Sequence, residues 1–300
     1  MENLKRHLEY KEDFLLFAKN EANILTPFGV KKVELYNFQL DLLESIKDTD
    51  FDLIVKSTQM GVTNLLALYI AWLAIFDEDK SIGLMSSNRD AGSRLLEGVV
   101  QILKNYSIKE YFDFDKEFTS SSKYKLQLKN GNLLRVLSPG PDSLRGMRIH
   151  KLIIDEAAYI KKLSEILKYS TMMFAIQGSK IILASSPKRN SHFNKMVLNY
   201  EEDKSIKEDK NISLNYLPWN LHPNRDKEWF EKQCIILGLR QELINEELNC
   251  VVTSDEHEQK NKTISLRLTN KWLIDIKTKI GDELSISDYI RSLIEKDLSN

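Results

Sequence analysis

An apolar run, Phe51 to Val55, is joined to a long apolar segment beginning at Leu65 by the loop Lys56-Ser57-Thr58-Gln59-Met60-Gly61-Val62-Thr63. A strand, a polar loop with a late glycine, and a helix with a hydroxyl in its first turn are the parts of a phosphate-binding loop. The glycine lets backbone N–H groups close around an anion at the helix N-terminus, a lysine neutralises charge, and the hydroxyl holds magnesium. Gly61 and Thr63 are in place, but Val62 stands where the lysine belongs. Taken alone, the loop also reads as a plain strand-to-helix turn. Lys56 offers the missing cation from the start of the loop, since what matters for lysine is where its flexible ammonium lands. On this reading Lys56, Ser57, Gln59, Gly61 and Thr63 surround the phosphates.

A second apolar run, Lys151-Leu152-Ile153-Ile154, ends in adjacent carboxylates, Asp155-Glu156. At the C-terminal edge of a parallel strand they would lie beside the loop, where ligands bind in such sheets. Asp155, with Thr63, would hold magnesium, and Glu156 would orient or deprotonate water. The bland alternative is a strand ending in solvated acids. Two further groups fall at suitable places. Ser185-Ser186-Pro187 closes the next apolar run with small hydroxyls able to sense the γ-phosphate, or simply marks a turn. Arg145, beside Gly146 and upstream of the acidic run, could reach a phosphoryl group or a neighbouring subunit's site, or could be a solvated surface residue.

These residues need elements to position them. Helical patterning covers residues 1 to about 25 and Tyr36 to Ile46. Short apolar runs at Ser81 to Met85, Leu133 to Leu137, Lys151 to Ile154 and Lys180 to Ala184 follow that of Phe51 to Val55. Most lack alternation, as parallel strands covered on both faces should. Helical segments, Ala91 to Asn105 and Leu163 to Phe174 among them, lie between several. The fold expected is α/β, a mostly parallel, doubly wound sheet flanked by helices. Tyr200 to Asn211 reads as an exposed, charged excursion, and residues 212 to about 250 as helical. The polar stretch 253–261 reads as a linker between a domain at 1–252 and a small module at 262–300.

Bulk properties set limits on partners. The chain has 300 residues, 42% hydrophobic and 29% charged, with a formal net charge of -1. Contact with nucleic acid would therefore depend on local basic patches. The N-terminus shows no signal-peptide pattern, and the apolar stretch Leu65 to Phe76 is too short for a bilayer, which takes roughly 20 residues. Cys234 and Cys250 lack metal-ligand spacing and read as reduced thiols of a cytoplasmic protein.

The order of these motifs resembles the ATPase half of a tailed-phage terminase large subunit. The likeness extends to Asp13-Phe14, Pro27-Phe28-Gly29 and Glu34-Leu35-Tyr36-Asn37-Phe38-Gln39 upstream. Downstream it takes in His192-Phe193, Pro218-Trp219, His222-Pro223, Trp229 and Gln241-Glu242 through Glu247. The resemblance implies a RecA-like P-loop NTPase that uses ATP and Mg2+ to drive double-stranded DNA into a capsid. It implies adenine recognition near Gln39, a phosphate-loop lysine at Lys56, an arginine finger at Arg145, and coupling of hydrolysis to movement through Ser185, Ser186 and Pro187. It further implies a closing subdomain at about 205–250, a homo-oligomeric motor, and a viral portal or procapsid as partner in the host-cell cytoplasm. The family continues into a nuclease domain. Only about fifty residues remain here, too few for such a domain. Cleavage by this chain is therefore not expected: the nuclease is supplied elsewhere or lost, and a small terminase subunit or a separate nuclease is a further partner.

Lys262-Thr263-Ile264-Ser265-Leu266-Arg267-Leu268 alternates with period two, and two helical patterns follow it. This tail resembles the ribbon-helix-helix family, in which paired strands enter the DNA major groove. The resemblance implies that the module dimerises, with Thr263, Ser265 and Arg267 facing bases while Lys260, Lys262 and Lys271 reach phosphates; a small helical appendage that packs on the ATPase domain or dimerises without DNA is the alternative. Two other functions compete with the motor. A helicase would need a second RecA-like domain, for which the chain is too short. A DNA-binding regulator on a degenerate, non-hydrolysing ATPase fold is favoured by Val62 and opposed by Lys56, Asp155 and Glu156.

Overall fold

The structure, a computed structural model, describes residues 1–26, 29–171, 173, 176–255, 277 and 289. Residues Met1–Asp255 form one compact unit. The tail strand expected at 262–268 and the DNA-contact residues Lys260, Lys262, Thr263, Ser265, Arg267 and Lys271 lie outside the described residues.

The chain opens with α1 (Glu2–Glu12) and α2 (Phe14–Glu21) where a single helix was expected. Asp13 divides them: its backbone is extended and its carboxylate accepts the N–H of Leu16, which starts a new helix. A two-stranded antiparallel hairpin, β1 (Asn23–Thr26) and β2 (Gly29–Lys32), leads to α3 (Asn37–Ser45). The strand β3 (Phe51–Lys56) then carries the loop into α4 (Val62–Phe76). Next come β4 (Ser81–Met85), α5 (Arg89–Lys104), α6 (Phe114–Glu117), β5 (Phe118–Ser122), β6 (Lys125–Leu128) and β7 (Leu133–Val136). The second half holds β8 (Lys151–Asp155), α7 (Leu163–Ser170), β9 (Lys180–Ser185), α8 (His192–Glu202), α9 (Lys204–Lys207), β10 (Ile212–Leu217), α10 (Lys227–Ile236) and α11 (Gln241–Glu247).

Among the described residues, eight strands form the main sheet in the order β10-β3-β9-β8-β4-β7-β6-β5. The pairs from β10 to β7 are parallel, while β6 and β5 add an antiparallel extension. This is the mostly parallel α/β sheet expected. Alternate side chains of one strand feed different layers. Ile54, Ile153, Ile182 and Ala184 pack with residues of α2 to α5. Leu53, Val55, Leu152, Ile154, Ile181 and Leu183 pack with residues of α7 and α8 and with Cys250. Burial on both faces explains the uninterrupted apolar runs. α4 is buried nearly all round, from Val62 to Ala74, so position 62 is a core position and an apolar residue suits it. Among the described residues no helix is long and apolar enough to cross a membrane. Cys234 and Cys250 are free, and burial pushes the Cys250 thiol up to about 12.

At the edge of the sheet where β3 and β9 begin, two charges are buried together. Lys180 Nζ lies 2.7 Å from Asp52 Oδ2, with side chains 2% and 0% exposed. Ser213 Oγ donates to Asp52 Oδ1 at 2.6 Å, Thr49 Oγ1 donates to the same oxygen, and Lys180 donates to the Thr49 carbonyl. Burial pushes the Asp52 carboxyl up and the Lys180 ammonium down, each opposed by the attraction of its partner. The cluster ties β3, β9 and β10 in register.

Candidate functional site

Parallel pairing places three strand ends on one edge. Val55 pairs with Ser185 and Asp155 with Ala184, so Lys56, Asp155 and Ser185 finish side by side. β9 thus separates the loop strand from the acidic strand. The loop enters α4 through Gly61, whose φ of 79 lies in the left-handed region. A side chain there would be strained, and a Cβ would come within 2.8 Å of Gln39 Nε2.

The displaced lysine meets the acids. Lys56 Nζ donates to Glu156 Oε1 at 2.8 Å and lies 4.0 Å from Asp155 Oδ1. Burial works to lower the Lys56 pKa, but the charges of Asp155 and Glu156 outweigh it and hold the ammonium above its ordinary range. Thr63 Oγ1 donates to Asp155 Oδ2 at 2.5 Å. These two hard oxygens suit a magnesium ion, which binds through one or two protein groups while keeping water and phosphate ligands. Glu156 has φ 57 and ψ 40, a left-handed backbone in a non-glycine residue. Its side chain is 34% exposed, so it faces both Lys56 and solvent.

Behind the acids the strand ends are laced together. Ser185 Oγ accepts the N–H of Ala158 at 3.1 Å, and Ser186 Oγ lies 3.3 Å from Tyr159 Oη. Tyr159 donates to Glu247 Oε1 at 2.9 Å. The Glu247 carbonyl accepts from Ser57 Oγ and from the Thr58 N–H, both at 2.9 Å. One residue at the end of α11 therefore touches the loop after β3 and the turn after the acids. Sequence reading placed this segment only as a closing stretch and missed its contacts.

It also missed Arg225, whose Nη2 donates to the carbonyls of Thr58 at 3.0 Å and Gln59 at 2.9 Å. No spacing signals such a residue, because it acts on distant backbone. Gln39 is braced in the same neighbourhood: Tyr36 N–H donates to its Oε1 at 3.1 Å, and its Nε2 donates to the Met60 carbonyl at 3.1 Å. Arg145 stands apart from this assembly. Its side chain is 62% exposed, and its guanidinium donates to Tyr169 Oη at 2.6 Å and pairs with Asp142 at 3.1 Å. It lines a cavity of about 580 Å³ with Leu144, Met147, Tyr169 and Met173. Lys56, Ser57, Gly61, Thr63, Asp155, Glu156, Ser185 and Ser186 are thus brought together, and Arg145 is not.

Solved structures share the fold of this unit. The large terminase of bacteriophage HK97 superposes with a TM-score of 0.63 at 16% identity, over 80% of this chain and 54% of that one. The ATPase domain of the Thermus phage P74-26 large terminase gives a TM-score of 0.58 at 16% identity, over 73% of this chain and 94% of that domain. A large terminase from a thermophilic bacteriophage, in complex with ADP, gives 0.55 at 14% identity, over 73% and 53%. The chain therefore matches nearly the whole of an isolated ATPase domain and about half of each longer terminase. At such identities the likeness is one of fold. Residues 53–259 match the family described as terminase large subunit, T4likevirus-type, N-terminal. By that match, which takes in the loop, both acids and the bracing segment, the chain belongs to the terminase large subunit family.

Proposed function

We propose that the unit 1–252 hydrolyses ATP with magnesium and couples the hydrolysis to binding and translocation of double-stranded DNA during viral genome packaging. The observation that carries this reading is the 2.8 Å approach of Lys56 to Glu156 beside the 2.5 Å contact of Thr63 with Asp155. A cation, a hydroxyl–carboxylate pair and a solvent-facing carboxylate converge at a helix N-terminus. The ADP complex of the thermophilic phage's large terminase supports nucleotide binding by a chain of this fold.

In this mechanism Lys56 takes the phosphate charge that a lysine at position 62 would otherwise meet, and Gly61 lets the loop backbone approach the anion. Thr63 and Asp155 would hold magnesium, which when bound neutralises charge on the phosphates. Glu156 accepts a proton from the attacking water. Ser185, Ser186 and Pro187 pass the state of the acidic strand end toward α8. Gln39, the residue that the resemblance assigns to the base, spends both ends of its amide on backbone, the Tyr36 N–H and the Met60 carbonyl. The module 262–300 would hold DNA through Thr263, Ser265 and Arg267 on bases and Lys260, Lys262 and Lys271 on phosphates. A portal or procapsid and a small terminase subunit would complete the machine.

Steady-state hydrolysis measured with and without duplex DNA tests this reading. The full chain should turn over ATP only with magnesium. Lys56→Ala should lose at least about a hundredfold, since Val62 leaves the loop without its usual cation. Deleting 262–300 should remove stimulation by DNA and leave basal turnover. Wild-type turnover in Lys56→Ala would discard the displaced lysine. Absence of hydrolysis in the intact protein would favour instead a DNA-binding regulator on a non-hydrolysing fold, the reading suggested by Val62.

The exposed position of Arg145 favours action in trans on a neighbouring subunit's phosphate. Arg145→Ala should then bind ATP without hydrolysing it, and mixing it with Glu156→Gln should restore turnover at the interfaces where an intact arginine meets an intact acid. An assembled mixture with no recovery would place the arginine's role within one subunit, or nowhere in hydrolysis.

A further inference from the structure

Successive peptide units of the phosphate loop are held by partners drawn from distant segments. The Thr58 N–H donates to the Glu247 carbonyl at 2.9 Å. The carbonyls of Thr58 and Gln59 accept from Arg225 at 3.0 and 2.9 Å, and that of Met60 accepts from Gln39 at 3.1 Å. In a planar trans peptide the C=O and the following N–H point in opposite directions. Pinning three consecutive carbonyls therefore turns the N–H groups of Gln59, Met60 and Gly61 the other way, as a set. Among the described residues none accepts a backbone hydrogen bond from these three groups. A row of N–H groups turned away from the body of the protein is what a phosphate needs.

The two pinning side chains are themselves fixed. The Arg225 guanidinium lies over the Trp229 ring at 4.4 Å, and its Nη1 lies 3.3 Å from Met60 Sδ. Gln39 is held at its other end by the Tyr36 N–H. The planar fork of arginine suits two neighbouring carbonyls, whereas an ammonium is a point donor with no fixed angle.

We propose that Arg225 and Gln39 are positioning residues for the nucleotide: from behind the loop, they set the direction of the N–H groups that receive its phosphates. This rests on the reading of the loop as an ATP site, and it assigns Gln39 to the loop backbone in preference to the base. Neither residue touches phosphate, so their loss should weaken binding of the phosphates and leave the chemical step alone.

The test compares the full-length wild type with Arg225→Ala, Arg225→Lys and Gln39→Ala, by ADP titration calorimetry, steady-state ATP hydrolysis and thermal unfolding. Loss of the charge-assisted hydrogen bonds should weaken ADP binding and raise the ATP KM about tenfold or more in Arg225→Ala. The kcat should stay within about twofold, Arg225→Lys should fall between, and the unfolding temperature should hold. Unchanged ADP affinity and KM would overturn the proposal. So would a fall in kcat and unfolding temperature together, which would mark both residues as parts of the core. Should the wild type bind ADP but hydrolyse no ATP, the proposed function falls and the ADP titrations still decide this point.

Discussion

Glu156→Gln is expected to bind ATP as the wild type does and to hydrolyse it at least about a hundredfold more slowly, as loss of a positioned general base requires. The amide keeps the shape of the side chain and can still accept the Lys56 hydrogen bond, now 2.8 Å long to the carboxylate. It cannot take a proton from water. The left-handed backbone of Glu156 adds to the case, because strain in a non-glycine residue persists where the surrounding structure enforces it, often at functional sites. Asp155→Asn should behave differently: its carboxylate faces Thr63, so magnesium-dependent binding should weaken first. Nucleotide titrations beside turnover measurements separate the two effects. Full turnover in both variants would leave the acidic strand end with a structural role only.

The largest expected effect on stability comes from the opposite edge of the sheet. Lys180→Met should cost about 3–5 kcal/mol, because it strands the Asp52 carboxylate in a buried site without its counter-charge. The hydroxyls of Thr49 and Ser213 hydrogen-bond that carboxylate but cannot neutralise it. Asp52→Asn combined with Lys180→Met should recover most of the loss, since a buried pair is often no more stabilising than a neutral replacement. Urea denaturation followed by circular dichroism gives the comparison. A single variant within about 1 kcal/mol of wild type would mean that water reaches the cluster.

What could be read from the sequence follows from how burial shapes residue choice. β3, β8 and β9 lie inside the sheet with helices on both faces, so each appears as a plain apolar run followed by the polar residue that ends it. Lys56, Asp155 and Ser185 were legible for that reason. β10 was missed because it is an edge strand: Ile212 to Tyr216 are only half-buried, and Ser213 and Asn215 break the apolar run. Helical patterning was expected there, and the structure instead pairs this segment with β3. The charged stretch before it, expected as an exposed excursion, is exposed but includes the end of α8 and the short helix α9. The split between α1 and α2 rests on one capping carboxylate, which a periodicity reading passes over. Arg225, Gln39 and Glu247 act on main-chain atoms far away in sequence, and such contacts leave no motif.

The placement of β10 has a consequence for how the molecule comes into being. Phe51, at the head of the strand that carries the phosphate loop, pairs with Ile181 on one side and Ile212 on the other. Both neighbours come from the second half of the chain, and the loop's own brace, Glu247, comes later still. A growing polypeptide emerges at about 5–20 residues per second, first residues first. The phosphate loop is thus made early and given its walls last. For much of synthesis β3 must wait as an apolar strand with two open edges, a condition that invites mispairing and gives chaperones something to hold. Closing such distant pairs also places this unit among slow, non-local folders. The proposed nucleotide site is accordingly complete only when its last braces, from the end of this unit, have been made.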